Sequence, residues 1–415
     1  MSQALTCNTC GERTELKPDT VCPSCFNPLE ITYDYDTIGG QLDAEQIAGR
    51  SASMWRYAEL LPEVNGGAPD TPVGWTPLIR ARRLGKALNM PNLYIKNDAV
   101  NFPSLSFKDR VVSVALAKAV DFGFRTVGCA STGNLANALG AQATMLGLRS
   151  VILIPHDLEQ QKISASACYN TQVVKVNGTY DDVNRLCTEL TYRENMGIVN
   201  VNLRPFYSEG SKTVGFEIAE QLGWRLPDQV VVPMAGGSLI SKVGKAFGEL
   251  VQVGLVREKQ AAIFGAQATG CAPIAALVKS RGEELTPVKP DTVVKSLSIG
   301  APADGHRAAR TIRSSGGWAE DVSDEEAVAA ISLLAETEGI FTEAAGGVTV
   351  AVTQKLLKLG KLDQEAVTVI CITGNGLKTA DLVAHRTERL PVIEPKYSSY
   401  TTLVNQKETA YAGTV

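Results

Sequence analysis

Long hydrophobic runs are missing from the sequence: no stretch approaches the roughly 18 uninterrupted apolar residues of a membrane span, and the opening MSQALTCNTCGERTELK holds no apolar signal core. No membrane partner is expected, and the chain is read as cytoplasmic. Net charge is also small, with 40 Lys plus Arg against 44 Asp plus Glu, so no general attraction to polyanions such as nucleic acid is expected. No internal repeat of about 20 to 50 residues stands out, which argues against a stacked-repeat architecture. Cysteine is sparse too: nine in 415 residues, unevenly placed, cannot build a disulfide scaffold. Cys129, Cys168, Cys187, Cys271 and Cys371 are scattered singly, mostly in small or apolar contexts, and read as buried inert thiols.

What is present fits a globular enzyme of two to three domains: 44% hydrophobic and 20% charged residues, with 37 glycines spread along the chain. The other four cysteines cluster as Cys7-x-x-Cys10 and Cys22-x-x-Cys25. Two such knuckles can present four thiolates tetrahedrally, as a structural zinc site does. The gap between the pairs is short for such a site, and a metal-free ribbon is the alternative. From Asn92 onward, short Val- and Ile-rich runs alternate with longer segments of helical period. The runs are NLYIK, TVGCA, SVILI, QVVKV, IVNVN, QVVVPMA, AIFGAQA and TVICI, and LEQQKISASAC is among the helical segments. This alternation predicts parallel sheets covered by helices. Ser323-Asp-Glu-Glu326 reads as a capping box opening a helix, and the polar tail after Pro391 reads as an extended arm or a partly disordered end.

In open α/β folds ligands collect where strands end and helices begin, because helix N-termini offer unpaired N–H groups. Three such junctions stand out. Ser131-Thr132-Gly133-Asn134 follows TVGCA; it offers hydroxyls and amides to a carboxylate, or is simply a polar helix cap. Ala235-Gly236-Gly237-Ser238-Leu239 follows QVVVPM, where small residues let amides converge on a phosphate; it is neither a P-loop nor a dinucleotide turn. Thr373-Gly374-Asn375-Gly376 closes the last strong strand, where it could merely turn the chain. Lys108, in Ser104-Leu-Ser-Phe-Lys-Asp-Arg110, stands at the head of a helix. Alone it could be a solvated charge beside Asp109, with Arg110 an ion-pair partner of its own helix; beside a phosphate turn and an anion loop it suits covalent attachment of pyridoxal phosphate.

Together, SFKDR, STGNLANA, AGGSL and ITGNG resemble the tryptophan synthase β-like, fold type II pyridoxal phosphate family. MWRYAELLP, EGSKTVGFEIAEQLGW, KSLSIGAPADG and EGIFTEAAGGVTVAV resemble the branch that turns O-phospho-L-homoserine and water into L-threonine and phosphate. The resemblance implies an α/β protein with two α/β/α domains and the cofactor between them. The expected division is a zinc-ribbon-like module at 1–30 and a connecting segment at 31–95. A mainly small, mobile domain at 96–210, a large cofactor-binding domain at 211–390 and a tail at 391–415 complete it. It also implies a homodimer.

By the same resemblance Lys108 carries the cofactor and Asn134 donates to its 3-oxygen. The backbone of Ala235, Gly236, Gly237, Ser238 and Leu239 holds its phosphate, and Thr373 meets the ring nitrogen, whose hydroxyl partner would not keep it protonated. Ser131, Thr132 and Asn134 are expected to bind the substrate carboxylate, and Arg204 with Lys212 the substrate phosphate. Lys108, freed when the substrate amine takes its place, is expected to move protons at Cα and Cβ. The chain departs from the family pattern at Phe102 and Leu105, where many relatives read Asn and Gly or His, so no side-chain contact is carried over there. The rival activities are cysteate synthase, threonine dehydratase and cysteine synthase; a catalytically silent cofactor-binding protein and a zinc-ribbon nucleic-acid adaptor are the rival classes.

Overall fold

Most of the Val- and Ile-rich runs become strands in the computed structural model, which describes residues 3–131, 133–156, 166–178, 180–257, 259–387 and 390–412. The chain forms two units, Met1–Lys378 and Thr379–Val415. The first opens with a small antiparallel sheet of β1 (Gln3–Cys7), β2 (Arg13–Thr14) and β3 (Leu29–Tyr33), in the order β2-β1-β3. Next come β4 (Leu78–Arg80) and β5 (Leu93–Asn97), which start a six-stranded sheet. The chain then leaves it for a separate, wholly parallel four-stranded sheet of β6 (Thr126–Ala130), β7 (Arg149–Pro155), β8 (Gln172–Val176) and β9 (Gly197–Ile198), ordered β8-β7-β6-β9. It returns through β10 (Gln229–Pro233), β11 (Ala262–Ala268), β12 (Ala319–Val322) and β13 (Thr368–Ile372).

The large sheet runs β12-β11-β10-β13-β5-β4, parallel except for the β4–β5 edge pair. Every residue of β10 and β13 is buried, which is why both read as unbroken apolar runs rather than alternating ones. The Ala344–Lys358 helix lies along β10 to β13, and the Ser238–Gln252 helix packs on β10 and β11. One core gathers Val230, Val232, Phe216, Ile240 and Ile312. A second joins Val112, Leu116, Leu139 and Ile152 of the smaller sheet's surroundings to Leu5 and Ile31 of the N-terminal sheet. Each such side chain contributes about 1.5–3 kcal/mol relative to exposure.

Two expectations change. IVNVN is not a strand: β9 stops at Ile198, because the Asn202 side chain accepts from Ile198 N–H at 2.8 Å and donates to the Met196 carbonyl at 3.1 Å, replacing ladder partners. The tail is not simply extended, since residues Tyr397–Ala412 form a helix. Sequence reading also passed over β4 and β12. The capping box at Ser323 and Glu326 forms with both reciprocal bonds. Most of the segment expected to be helical at 158–168 lies outside the described residues.

Candidate active site

Because β10, β13 and β5 are parallel neighbours, the segments leaving their carboxyl ends emerge side by side, where α/β sheets bind ligands. The segment after β5 leads to Lys108 and is stitched to the segment after β13. Phe107 N–H donates to the Thr373 carbonyl at 2.9 Å, Asn375 N–H to Leu105 at 3.1 Å, and the Asn375 amide to Ala99 at 2.9 Å. Leu105 takes a left-handed backbone (φ 60°), unfavourable for a residue with a β-carbon. Asp109 fixes this loop by accepting from the Ser104 hydroxyl at 2.7 Å and from the Ser104 and Ser106 amides. Burial lifts its carboxyl to about 6 against the pull of those donors.

Arg110 is not paired within its own helix. Its buried guanidinium spans Asp98, with Nε at 2.7 Å, and Glu217, and also reaches the Thr76 and Thr213 hydroxyls. Glu217 in turn accepts from Lys96 at 2.6 Å. Burial opposes its charge, but Arg110 and Lys96 hold the carboxyl down at about 2. This cluster roots the helix that begins at Lys108.

The half-buried Lys108 ammonium donates to the Tyr207 hydroxyl at 2.9 Å and lies 4.7 Å from the Phe107 ring centroid. Asn134, first residue of the Asn134–Met145 helix, donates through Nδ2 to Glu343 at 2.9 Å and accepts through Oδ1 from Lys378 at 2.7 Å. Glu343 is buried, which raises its carboxyl; Asn134, Lys378 and Lys108 act in the opposite direction. Burial lowers Lys378, with Glu343 and Asp109 opposing. Tyr207, Glu343 and Lys378 were missed by sequence reading. The one usable signal was the acid of FTEAAGG, placed before a run of small residues at a helix start.

At the exit of β10, Gly237 has a left-handed backbone (φ 89°) and caps the Ser238–Gln252 helix. An added β-carbon there would lie 2.8 Å from the Asp304 carbonyl, whereas one at Gly236 would meet nothing within 4 Å. Asp304 N–H donates to the Gly236 carbonyl at 3.0 Å. The turn Ala235–Leu239 thus has open space at Gly236 and leads into a helix whose first N–H groups have no partner within the helix.

Arg204 pairs with Asp304 at 2.9 Å, beside this turn. Lys212 does not reach it. Its ammonium is fully buried and spends its three donors on the Leu60 carbonyl at 2.7 Å, Glu209 at 2.7 Å and Glu249 at 3.0 Å, so the expected substrate-phosphate role is replaced by a structural one. Ser131 is half-buried at the end of β6, Thr373 is buried at the end of β13, and Thr132 lies outside the described residues. A lysine after β5 and a small-residue turn after β10 in one sheet, with an amide at a helix start of the other sheet bonded to Glu343 and Lys378, fit pyridoxal phosphate.

Away from this site, the sulfurs of Cys7, Cys10, Cys22 and Cys25 all lie within 4.8 Å of one another, with contacts of 3.4 Å between Cys7 and Cys25 and 3.5 Å between Cys10 and Cys22. A tetrahedral Zn–thiolate site with bonds of about 2.3 Å has sulfur–sulfur edges of about 3.8 Å, so the group is sized for one. Donation from the Asn27 side chain and backbone lowers the Cys25 thiol to about 6, whereas the Cys10 thiol, despite backbone donation from Glu12, is raised by Cys25 and Cys22.

The family described as pyridoxal-phosphate dependent enzymes matches residues 70–374. The threonine synthase of Methanocaldococcus jannaschii is 36% identical over 391 residues, covering 94% of this chain and 96% of its own. The threonine synthase of a Bacillus species (strain ULM1) is 34% identical over 79% of this chain and 90% of its own. Among solved structures, the processed form of threonine deaminase isoform 2 from Solanum lycopersicum superposes with a TM-score of 0.62 at 22% identity, over 74% of this chain and 82% of that one, a likeness of fold. The chain belongs to the pyridoxal-phosphate dependent enzymes, and within them to the threonine synthase family.

Proposed function

We propose that this chain is a threonine synthase that converts O-phospho-L-homoserine and water to L-threonine and phosphate. The observation that carries this is identity of 36% to a threonine synthase along 94% of the chain. Bound through Lys108, pyridoxal phosphate supplies the electron sink for the substrate's Cα–H bond. The backbone of Ala235, Gly236, Gly237, Ser238 and Leu239 holds its phosphate. Asn134 and Thr373 hold its ring, Asn134 with the one amide hydrogen that Glu343 leaves over. Ser131, Thr132 and Asn134 bind the substrate carboxylate, and Arg204, able to exchange Asp304 for a bidentate anion, binds the substrate phosphate. The ε-amine of Lys108, steadied by Tyr207, takes and returns protons at substrate Cα and Cβ.

The same reading includes a homodimer, a cytoplasmic setting, a structural Zn²⁺ on Cys7, Cys10, Cys22 and Cys25, and division into domains at residues 31, 96, 211 and 391. Among the described residues no helix is long and apolar enough to cross a membrane. Incubation of cofactor-loaded protein with O-phospho-L-homoserine, with mass-spectrometric product identification, is expected to give threonine and phosphate in equal amounts. Lys108→Ala should yield neither that product nor a borohydride-trapped adduct. Parallel arms with O-phospho-L-serine plus sulfite, and with threonine, test the rivals; cysteate or 2-oxobutanoate as the main product would overturn the assignment.

A further inference from the structure

A carboxylate of the N-terminal ribbon, Glu30, pairs with both helices that border the proposed phosphate cradle. In the ribbon ladder, Glu30 of β3 stands opposite Thr6, and Leu29 opposite Cys7. Asn8, inside the first cysteine knuckle, donates to Glu30 Oε2 at 3.0 Å. Glu30 Oε1 accepts from Lys242 and, at 3.1 Å, from Arg307. Lys242 belongs to the Ser238–Gln252 helix, whose first turn is the cradle. Arg307 belongs to the Gly305–Ser314 helix, whose preceding residue, Asp304, binds Gly236 and packs against Gly237. One ribbon carboxylate therefore grips both helices that meet at the cradle.

The grip is partly buried and belongs to a larger charge cluster. Lys242 shares Glu209 with Lys245 and Lys212, and Tyr33 of β3 donates to the same Glu209 at 2.6 Å. Lys245 also donates to the Ile31 carbonyl of β3 at 2.6 Å. With Glu30 displaced, the buried Lys242 would share Glu209 with Lys212 and Lys245, and Arg307 would lose its carboxylate partner, leaving the cluster short of negative charge.

We infer that metal occupancy of the four-cysteine site sets the affinity of the phosphate cradle for pyridoxal phosphate, with Glu30 as the positioning residue between them. This rests on the zinc reading of the ribbon and on the cofactor seat proposed above. By charge alone a freed Lys242 would attract an anion, so weaker cofactor binding on metal loss is the signature of displaced helices. Coupling of this kind is reciprocal: the cofactor tightens the metal by the same factor.

The test uses full-length protein stripped of cofactor, with metal counted by atomic emission, and follows cofactor binding by its visible absorption. Removing Zn²⁺ is expected to raise the Kd for pyridoxal phosphate by about tenfold or more, reversibly, a usual size for coupling between sites. In Glu30→Gln the same removal should change Kd less than about twofold. Asn8→Ala keeps all four cysteines and should weaken the cofactor several-fold with Zn²⁺ in place, which keeps the test valid if the metal-free chain unfolds. One Zn²⁺ per chain with a cofactor Kd indifferent to its removal, or to Asn8→Ala, would overturn the inference and leave the zinc reading standing. No Zn²⁺ bound after reconstitution would instead remove the zinc reading itself, and the inference with it.

Discussion

Glu343 has no partner in its own helix start; it meets Asn134 from the smaller sheet's side and shares its surroundings with two lysines. Truncating it leaves a half-buried amide donor without its acceptor, a loss of about 1–3 kcal/mol. Glu343→Ala should therefore lower kcat/KM roughly 5- to 150-fold while the protein stays folded, and Glu343→Gln, which still accepts from Asn134, should lose less. Steady-state kinetics with a circular-dichroism control decide it. Lys108 could be singled out as a candidate because the string Ser106 to Arg110 is contiguous in sequence. Tyr207, Glu343 and Lys378 were not, because each comes from a different segment with an ordinary local pattern. Lys212 was misread for a related reason: a lysine paired with Glu209 and Glu249 from two other helices looks, in a linear string, like any other cation.

At the level of elements, the β10 exit turn separates folding from binding. Gly237→Ala forces a side chain into a left-handed backbone and against Asp304, and should destabilise the cofactor-free protein by about 2–4 kcal/mol. Gly236→Ala meets no protein atom, so its cofactor-free stability should stay within about 0.5 kcal/mol of the parent while cofactor affinity falls. Urea unfolding of cofactor-free protein, paired with cofactor titration, distinguishes the two; equal effects of both variants would refute the cradle geometry. The strands β10, β11 and β13 were readable as elements because burial of both faces writes an apolar run. The end of β9 was not, since an asparagine side chain four residues on decides it. The terminal helix carries no apolar stripe for periodicity to detect.

Across the whole molecule, stability leans on buried carboxylates held below their ordinary range: Glu217 by Arg110 and Lys96, Glu209 by Lys212, Lys242 and Lys245, and Glu30 by Lys242, Lys245 and Arg307, in each case against burial. Such groups bind fewer protons folded than unfolded, so their contribution is complete above the unfolded pKa, about 4.5, and is lost as pH falls; each adds a slope of up to about 1.4 kcal/mol per pH unit. Asp109, held up at about 6, has the opposite sign and takes stability away as pH rises through that value. Urea unfolding free energies should accordingly drop steeply from pH 4.5 toward pH 3, with net proton uptake on unfolding. The alternation of strands and helices was enough to predict an α/β protein. It could not say that β5 joins β13 rather than β6, because that pairing is chosen by contacts between distant parts of the chain.

That pairing, with the bond from Phe107 to Thr373, also governs when the protein becomes competent during its synthesis. A chain still on the ribosome has made Lys108 early but lacks the strand to which its loop is bonded until Gly374 has cleared the exit tunnel. Translation products that stop short of that strand are therefore expected to be inactive.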